Sequence, residues 1–164
     1  MDFIMSKISF RDFSAGDEEL FYRLANMFYE TNVATYDANQ DNIRKTFSHC
    51  INNSPYIRGV FALYNNEVCG YVLLTYTYSN EYGGKTMAID EMFISDKFKN
   101  KGIGGHLCYK ILYDYTDDIT CIEASVHQDN KRVLRLCERF GFVKDDYIAM
   151  HKDIDQKGIQ RFDS

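Results

Sequence analysis

The chain of 164 residues carries one proline, Pro55, and neither a low-complexity tract nor an internal repeat, so no linker shows. No apolar run approaches the ~20 residues that a bilayer-spanning helix needs. The opening stretch MDFIMSKISFRD lacks the basic region, apolar segment and small-residue cleavage site of a signal peptide, and none is expected. No CxxC occurs and the four histidines never fall at ligand spacing. The adjacency of His49 and Cys50 makes a weak metal signal by itself, and no metal is expected. Cys50, Cys69, Cys108, Cys121 and Cys137 are scattered and odd in number. That argues against a disulfide framework and for a reduced, cytoplasmic protein. Lysine and arginine are dispersed under a net charge of −5, which disfavours broad contact with nucleic acid or an anionic membrane.

What remains is rich in core-forming residues: 45% are hydrophobic and 15% aromatic. KISFRDF (7–13) alternates as a strand does. Ser14 to Asp17 resembles a helix start, and Leu20, Phe21, Leu24, Met27 and Phe28 follow at helical spacing. A shorter helix is expected over about 41–51. VFALYNNEVCGYVLLTYTY (60–78) reads as a hairpin turning at Asn65-Asn66. KTMAIDEMFIS (85–95) reads as a further strand after the turn signal at 79–84. Beyond it the pattern predicts a helix from Gly102 to about Thr116, a strand at 119–126, and a helix capped by Asp129 and ended by Gly141. YIAMHKDI (147–154) is expected as a closing strand, followed by a polar tail over 155–164. These elements make one α+β (α/β mixed-sheet) domain spanning 1–164, with a core of about 7–154. Exposed edge strands leave a homodimer open.

The stretch most informative about function is FKNKGIGGHL (98–107), where three lysines at 97, 99 and 101 precede Gly102, Gly104 and Gly105. A strand, a basic loop and a glycine-rich helix start form an anion trap, because first-turn N–H groups are unpaired and the helix dipole adds positive charge. The P-loop string G-x-x-x-x-G-K-[ST] is absent, and the dinucleotide string G-x-G-x-x-G fails at Leu107.

A third pattern fits. Lys99-Asn100-Lys101-Gly102-Ile103-Gly104 resembles motif A of the GNAT superfamily of N-acetyltransferases, [QR]-x-x-G-x-[GA], with lysine where Gln or Arg is usual. The preceding AIDEMFIS resembles the family's "IEELFV"-like strand. N-K-R-V-L-R-L-C-E-R-F-G-F (130–142) resembles its "N-x-x-A-x-x-x-Y-e-k-x-G-F" segment, and RDFSAGDEEL resembles its N-terminus. The resemblance spans about 7–154. It implies the GNAT acyl-CoA N-acyltransferase fold, a mixed, mostly antiparallel sheet splayed into a V between strands 4 and 5, with about four flanking helices. It further implies that acetyl-CoA lies in that V. Backbone groups of Met92, Phe93 and Ile94 would pair with its pantetheine arm, and those of Lys99, Asn100, Lys101, Gly102, Ile103, Gly104 and Gly105 would wrap its pyrophosphate. Asn130 matches the asparagine that contacts the pantetheine.

The implied reaction is direct acetyl transfer from the thioester to a primary amine of a small molecule, polyamine- or aminoglycoside-like. Two alternatives stand beside it: acetylation of a protein N-terminus or lysine, and a CoA-binding sensor module without turnover. Asp90 and Glu91 interrupt an apolar strand, a setting that raises a carboxyl pKa and suits a base. The competing reading is a structural bond to a backbone group or cation. Strand alternation points the two to opposite faces, so that one would reach the substrate. Cys137 stands where the family commonly has the tyrosine that protonates the departing thiolate. A cysteine there reads as a packing residue or as a substitute acid, with Tyr147, His127 or solvent as other sources of the proton. His106 reads as structural or near the phosphates. Tyr29, Tyr36, Asp37, Tyr76, Tyr78, Glu81 and Tyr82 are candidates for the acceptor pocket, since aromatic faces with carboxylates suit an ammonium group.

Overall fold

The computed structural model describes residues 7–31, 34, 37–146 and 148–152. Among them run β1 (Ile8–Asp12), α1 (Glu18–Tyr29), α2 (Gln40–Ile51), β2 (Ile57–Tyr64), β3 (Glu67–Ser79), β4 (Gly84–Ile94), a short 3-10 turn (Asp96–Phe98), α3 (Ile103–Asp114), β5 (Ile119–Ala124) and α4 (Lys131–Arg139). The strands form one mixed sheet in the order β1-β2-β3-β4-β5. The first three pairs are antiparallel and β4–β5 is parallel. Parallel pairing follows from the connection, because α3 carries the chain back across the sheet before β5 begins.

Local chemistry explains the joints. Asn65 and Asn66 both take positive φ, 52° and 65°, as a two-residue hairpin turn matched to strand twist requires. At the start of α1 the Asp17 carboxylate accepts from both Arg11 guanidinium nitrogens at 2.7 and 2.9 Å, from Ser14 N at 2.9 Å and from Ser14 Oγ at 2.8 Å. Led by the Arg11 bond, these donors pull its carboxyl down to about 2 and tie the end of β1 to α1. Between β2 and β3 the register slips by one residue at Cys69, and between β3 and β4 it slips at Asp90.

The sheet is covered on both faces. One face sets Phe61, Tyr71, Leu73 and Phe93 against Phe21 and Ala25 of α1 and Ile43 and Phe47 of α2. The other sets Val60, Val72, Leu74 and Met87 against Leu107 and Ile111 of α3. Each of the larger apolar side chains contributes about 1.5–3 kcal/mol when fully buried, so this two-sided burial holds β4, through Met87 and Phe93, between the helices.

Two expectations change. Asn130, not Asp129, caps α4, its side-chain oxygen accepting from Val133 N at 3.3 Å. Asp129 lies one residue too early for its oxygen to reach that first turn. The expected closing strand is not formed at 148–152, where no strand is assigned and Ile148 and Met150 are 88% and 91% exposed. Alternation in that segment marks strand propensity, but residues 148–152 pair with no strand of the sheet, and propensity alone does not make one. Tyr147 and 153–164, including the expected tail, lie outside the described residues.

Candidate functional site

β4 and β5 pair only from Lys85↔Ile119 to Ile89↔Ala124. Beyond that point β4 continues to Ile94 with β3 on one side and, among the described residues, no strand on the other. Its outward N–H and C=O groups form an open edge able to bond an extended ligand. The edge begins at a bulge: Leu74 pairs with Ile89 and Leu73 with Glu91, leaving Asp90 unmatched. The extra residue resets the alternation. Met87, Ile89 and Met92 pack with the α3-side cluster, while Phe93 packs with the α1/α2 side. Met92, Phe93 and Ile94 belong to the part of β4 that runs on past its pairing with β5.

Past Ile94 the chain turns through Asp96–Phe98 and enters α3. Phe98 N bonds Ser95 O and Lys99 N bonds Asp96 O, while His106 N is the first of the α3 start to reach a helical acceptor, Gly102 O. The N–H groups of residues 100–105 find no acceptor among the described residues. Asn100 and Gly102 both take positive φ, 64° and 78°, the left-handed conformation from which backbone anion nests are built. The left-handed Gly102 is held from behind by His106, whose Nδ1 lies 2.9 Å from the Gly102 oxygen. A carbonyl can only accept, so this nitrogen carries the proton. A Cβ placed on Gly104 or Gly105 would meet nothing nearer than Leu136 of α4, at 4.0 and 3.9 Å. The fold itself therefore leaves room at both glycines. Lys97 pairs with Glu67 and Lys99 with Asp96, whereas Lys101 stacks on the Tyr64 ring at 5.4 Å with no carboxylate partner among the described residues. The loop offers what a pyrophosphate needs: several unpaired N–H donors, a helix N-terminus, a lysine without a carboxylate partner among the described residues, and space for close approach.

Where the free edge begins, Glu91 turns toward α1 and α2. Tyr29 OH of α1 donates to its Oε1 at 2.6 Å and Tyr71 OH of β3 donates to its Oε2 at 2.7 Å. Burial raises the Glu91 carboxyl above its ordinary range. The two phenols work against that shift, and the neighbouring Asp90 charge adds to it. Both phenols are pushed well above the usual tyrosine range by burial and by Glu91, so they remain donors. Asp90, at the bulge, keeps an exposed surface, yet partial desolvation raises its carboxyl. Neither carboxylate has a Lys, Arg or His partner among the described residues. Beside Glu91 a cavity of about 40 Å³ opens between α1, α2 and β3.

Tyr71 did not stand out in the sequence, where it is one aromatic in a continuous buried run. Only the pairing of β3 with β4 reveals its role. Tyr29, expected near the acceptor, does reach Glu91. Tyr78 and Glu81 do not: Leu73 is the β3 partner of Glu91, and Tyr78 lies five residues further along β3, about 17 Å away. Tyr36 lies outside the described residues. Asn130 uses its side-chain oxygen as the α4 cap. Cys137 is half-buried, and burial raises its thiol. No group of three or more metal-ligating side chains occurs among the described residues, and no described helix is long and apolar enough to cross a membrane.

The model of the Acetyltransferase (GNAT) family matches residues 19–142. Among curated proteins none matches the chain in sequence. Solved structures are similar in fold. A possible acetyltransferase from Clostridium difficile 630 superposes with a TM-score of 0.75 at 16% identity, over 91% of this chain and 99% of that one. AAC(6')-Iy in complex with the bisubstrate analog CoA-S-monomethyl-acetylneamine gives 0.71 at 10% identity, over 90% and 99%. A ribosomal-protein-alanine N-acetyltransferase from Brucella melitensis biovar Abortus 2308 gives 0.72 at 12% identity, over 90% and 99%.

Proposed function

The chain belongs to the acetyltransferase (GNAT) family, and we propose that it moves the acetyl group of acetyl-CoA directly onto a primary amine of a small molecule, polyamine- or aminoglycoside-like. The observation that carries this reading is the run of unpaired N–H groups at residues 100–105, with two glycines whose side-chain space the fold leaves open. Its position at the end of a strand edge free from Asp90 onward supports acetyl-CoA in particular. A pyrophosphate seated there lets an extended arm pair with Met92, Phe93 and Ile94 and end beside Asp90 and Glu91.

Acetyl-CoA supplies the activated thioester. Lys101 and the N–H groups of residues 100–105 hold its charged end, with Asn130 near the arm; the expected Lys99 N–H is already bonded to Asp96 O. An N–H on the free edge at 92–94 stabilises the oxygen of the tetrahedral intermediate. Glu91 is the base we favour, with Asp90 as the solvent-side alternative. It removes one proton of the ammonium, the nitrogen bonds the acetyl carbon, the C–S bond breaks, and a second nitrogen proton ends on the thiolate. Cys137 is a poor source of that proton. Burial raises its thiol, which disfavours loss of its proton. We assign it to packing and leave the last protonation to solvent or to Tyr147. The free cysteines among the described residues suit a reducing compartment, and we place the protein in the cytoplasm.

Calorimetry with CoA, together with thiol release from acetyl-CoA over a panel of small amines, N-terminal peptides and lysine peptides, tests this reading. CoA binding with release on small amines supports it. Release on peptides alone assigns a protein substrate, and binding without release on any acceptor assigns a sensor.

A further inference from the structure

Gly102 opens α3 in the left-handed conformation, with φ 78° and ψ −1°, and a glycine turns its peptide plane more freely than any other residue. One side chain opposes that freedom. The Gly102 carbonyl oxygen accepts the His106 backbone N–H at 3.1 Å and, beside it, the His106 Nδ1–H at 2.9 Å. These two donors fill both lone pairs of the oxygen. The ring also packs on the glycine, since a Cβ built there would stand 3.7 Å from both Cε1 and Nδ1 of His106.

The consequence lies on the far side of the peptide. No described peptide bond is cis, and across a planar trans peptide the N–H points opposite to the C=O. Holding the Gly102 oxygen towards the first turn of α3 therefore turns the Ile103 N–H outward from the helix. That N–H is one of the unpaired donors at 100–105. Direction matters to it, because a hydrogen bond weakens steeply as its angle closes.

We infer that His106 is a positioning residue of the pyrophosphate site: through the Gly102–Ile103 peptide it aims the Ile103 N–H at the phosphate oxygens. The inference rests on the acetyl-CoA reading and adds to it a side chain that acts through the backbone. The chain itself shows which substitution keeps the device. Asn26 Nδ2 donates to Tyr22 O and Asn52 Nδ2 to Ser48 O, each at 2.8 Å and each four residues back, the spacing of His106 to Gly102. At Ser48 the Asn52 backbone N–H joins in, as the His106 N–H does at Gly102. His106→Asn therefore keeps the donor, whereas His106→Ala removes it and remains a good helix former.

Calorimetry of the full chain with CoA, thermal melts, and 15N spectra of the histidine ring and the Ile103 amide test this together. His106→Ala should weaken CoA binding about three- to tenfold, the loss of roughly one hydrogen bond. Its Tm should stay within about 2 °C, because alanine's helix preference offsets the lost bond, and the CoA-induced shift of the Ile103 amide should shrink. His106→Asn should restore that shift and bind CoA within about twofold of wild type. The wild-type ring at neutral pH should carry its proton on Nδ1. A His106→Ala affinity equal to wild type, a His106→Asn affinity no better than that of His106→Ala, or a ring proton on Nε2 alone would overturn the inference and leave the acetyl-CoA reading standing. A wild type that does not bind CoA would overturn that reading, and this inference with it.

Discussion

Gly104→Val separates the needs of the fold from those of the ligand. Glycine lies about 1 kcal/mol below alanine in intrinsic helix preference and valine about 0.6 kcal/mol below it. The exchange is therefore nearly neutral for α3, or stabilising by a few tenths of a kcal/mol. Packing adds little, since the new Cβ meets only Leu136 Cδ2 at 4.0 Å, on a half-buried side chain that can turn aside. For a domain of this size about 1 kcal/mol corresponds to roughly 2–4 °C, so Tm should stay within about 2 °C of wild type. The branched carbons, however, stand over the N–H groups at the head of α3. Losing one charge-assisted hydrogen bond to a phosphate oxygen costs about 1.5–3 kcal/mol, which is roughly a ten- to hundredfold rise in Kd. Calorimetry with CoA and a thermal melt on the same preparation read both quantities. A Kd within twofold of wild type at unchanged Tm would refute the pyrophosphate cradle.

Three further outcomes follow from the same geometry. Asp17 has its folded-state pKa depressed to about 2, so its contribution is complete above the unfolded value of about 3.9 and disappears as pH falls through about 2. Discounted for the solvent around Arg11, that is about 1 kcal/mol; Asp17→Asn should lose it at pH 7, and the gap in urea melts should close between about pH 4 and 2. Gly70→Ala should be strongly destabilising, because its Cβ would lie 2.1 Å from the Phe93 carbonyl oxygen; a loss of at least about 1–3 kcal/mol is expected for such overpacking, and a melt unchanged from wild type would contradict the close β3–β4 approach. Cys137→Ala should keep kcat within about twofold while lowering Tm, and a tenfold fall in kcat at unchanged CoA affinity would return the thiol to the reaction.

Much of the fold was legible because its signals are local. Two asparagines with a shared tolerance for positive φ located the hairpin at 65–66, and glycines after a basic loop located the start of α3. The free β4 edge was expected from the family resemblance and, among the described residues, is present beyond Ile89. What stayed hidden depends on distant pairing. Simple alternation set Asp90 and Glu91 on opposite faces, but a bulge leaves Asp90 at the slip and gives Glu91 to the α1/α2 side. The Glu91 bonds need Tyr29 and Tyr71, respectively 62 and 20 residues from Glu91, to meet at one carboxylate. No short window of sequence contains that arrangement. Tyr78 and Glu81 looked suitable for a cation by composition, yet strand length carries them away from the free edge. The one-residue error at the α4 cap is of another kind: Asp129 and Asn130 are adjacent and equally good caps, and only backbone geometry chooses between them.

The central claim is that acetyl-CoA binds at the α3 cradle and gives its acetyl group to an amine beside Glu91. Thiol release from acetyl-CoA over the panel of small amines, read together with the mass of the amine product, tests it most directly. The account predicts thiol and N-acetylated amine in equal amounts, with the rate falling at least tenfold in Glu91→Gln while CoA affinity is retained. Release of thiol without acetylated amine, or a Glu91→Gln rate equal to wild type, would contradict it.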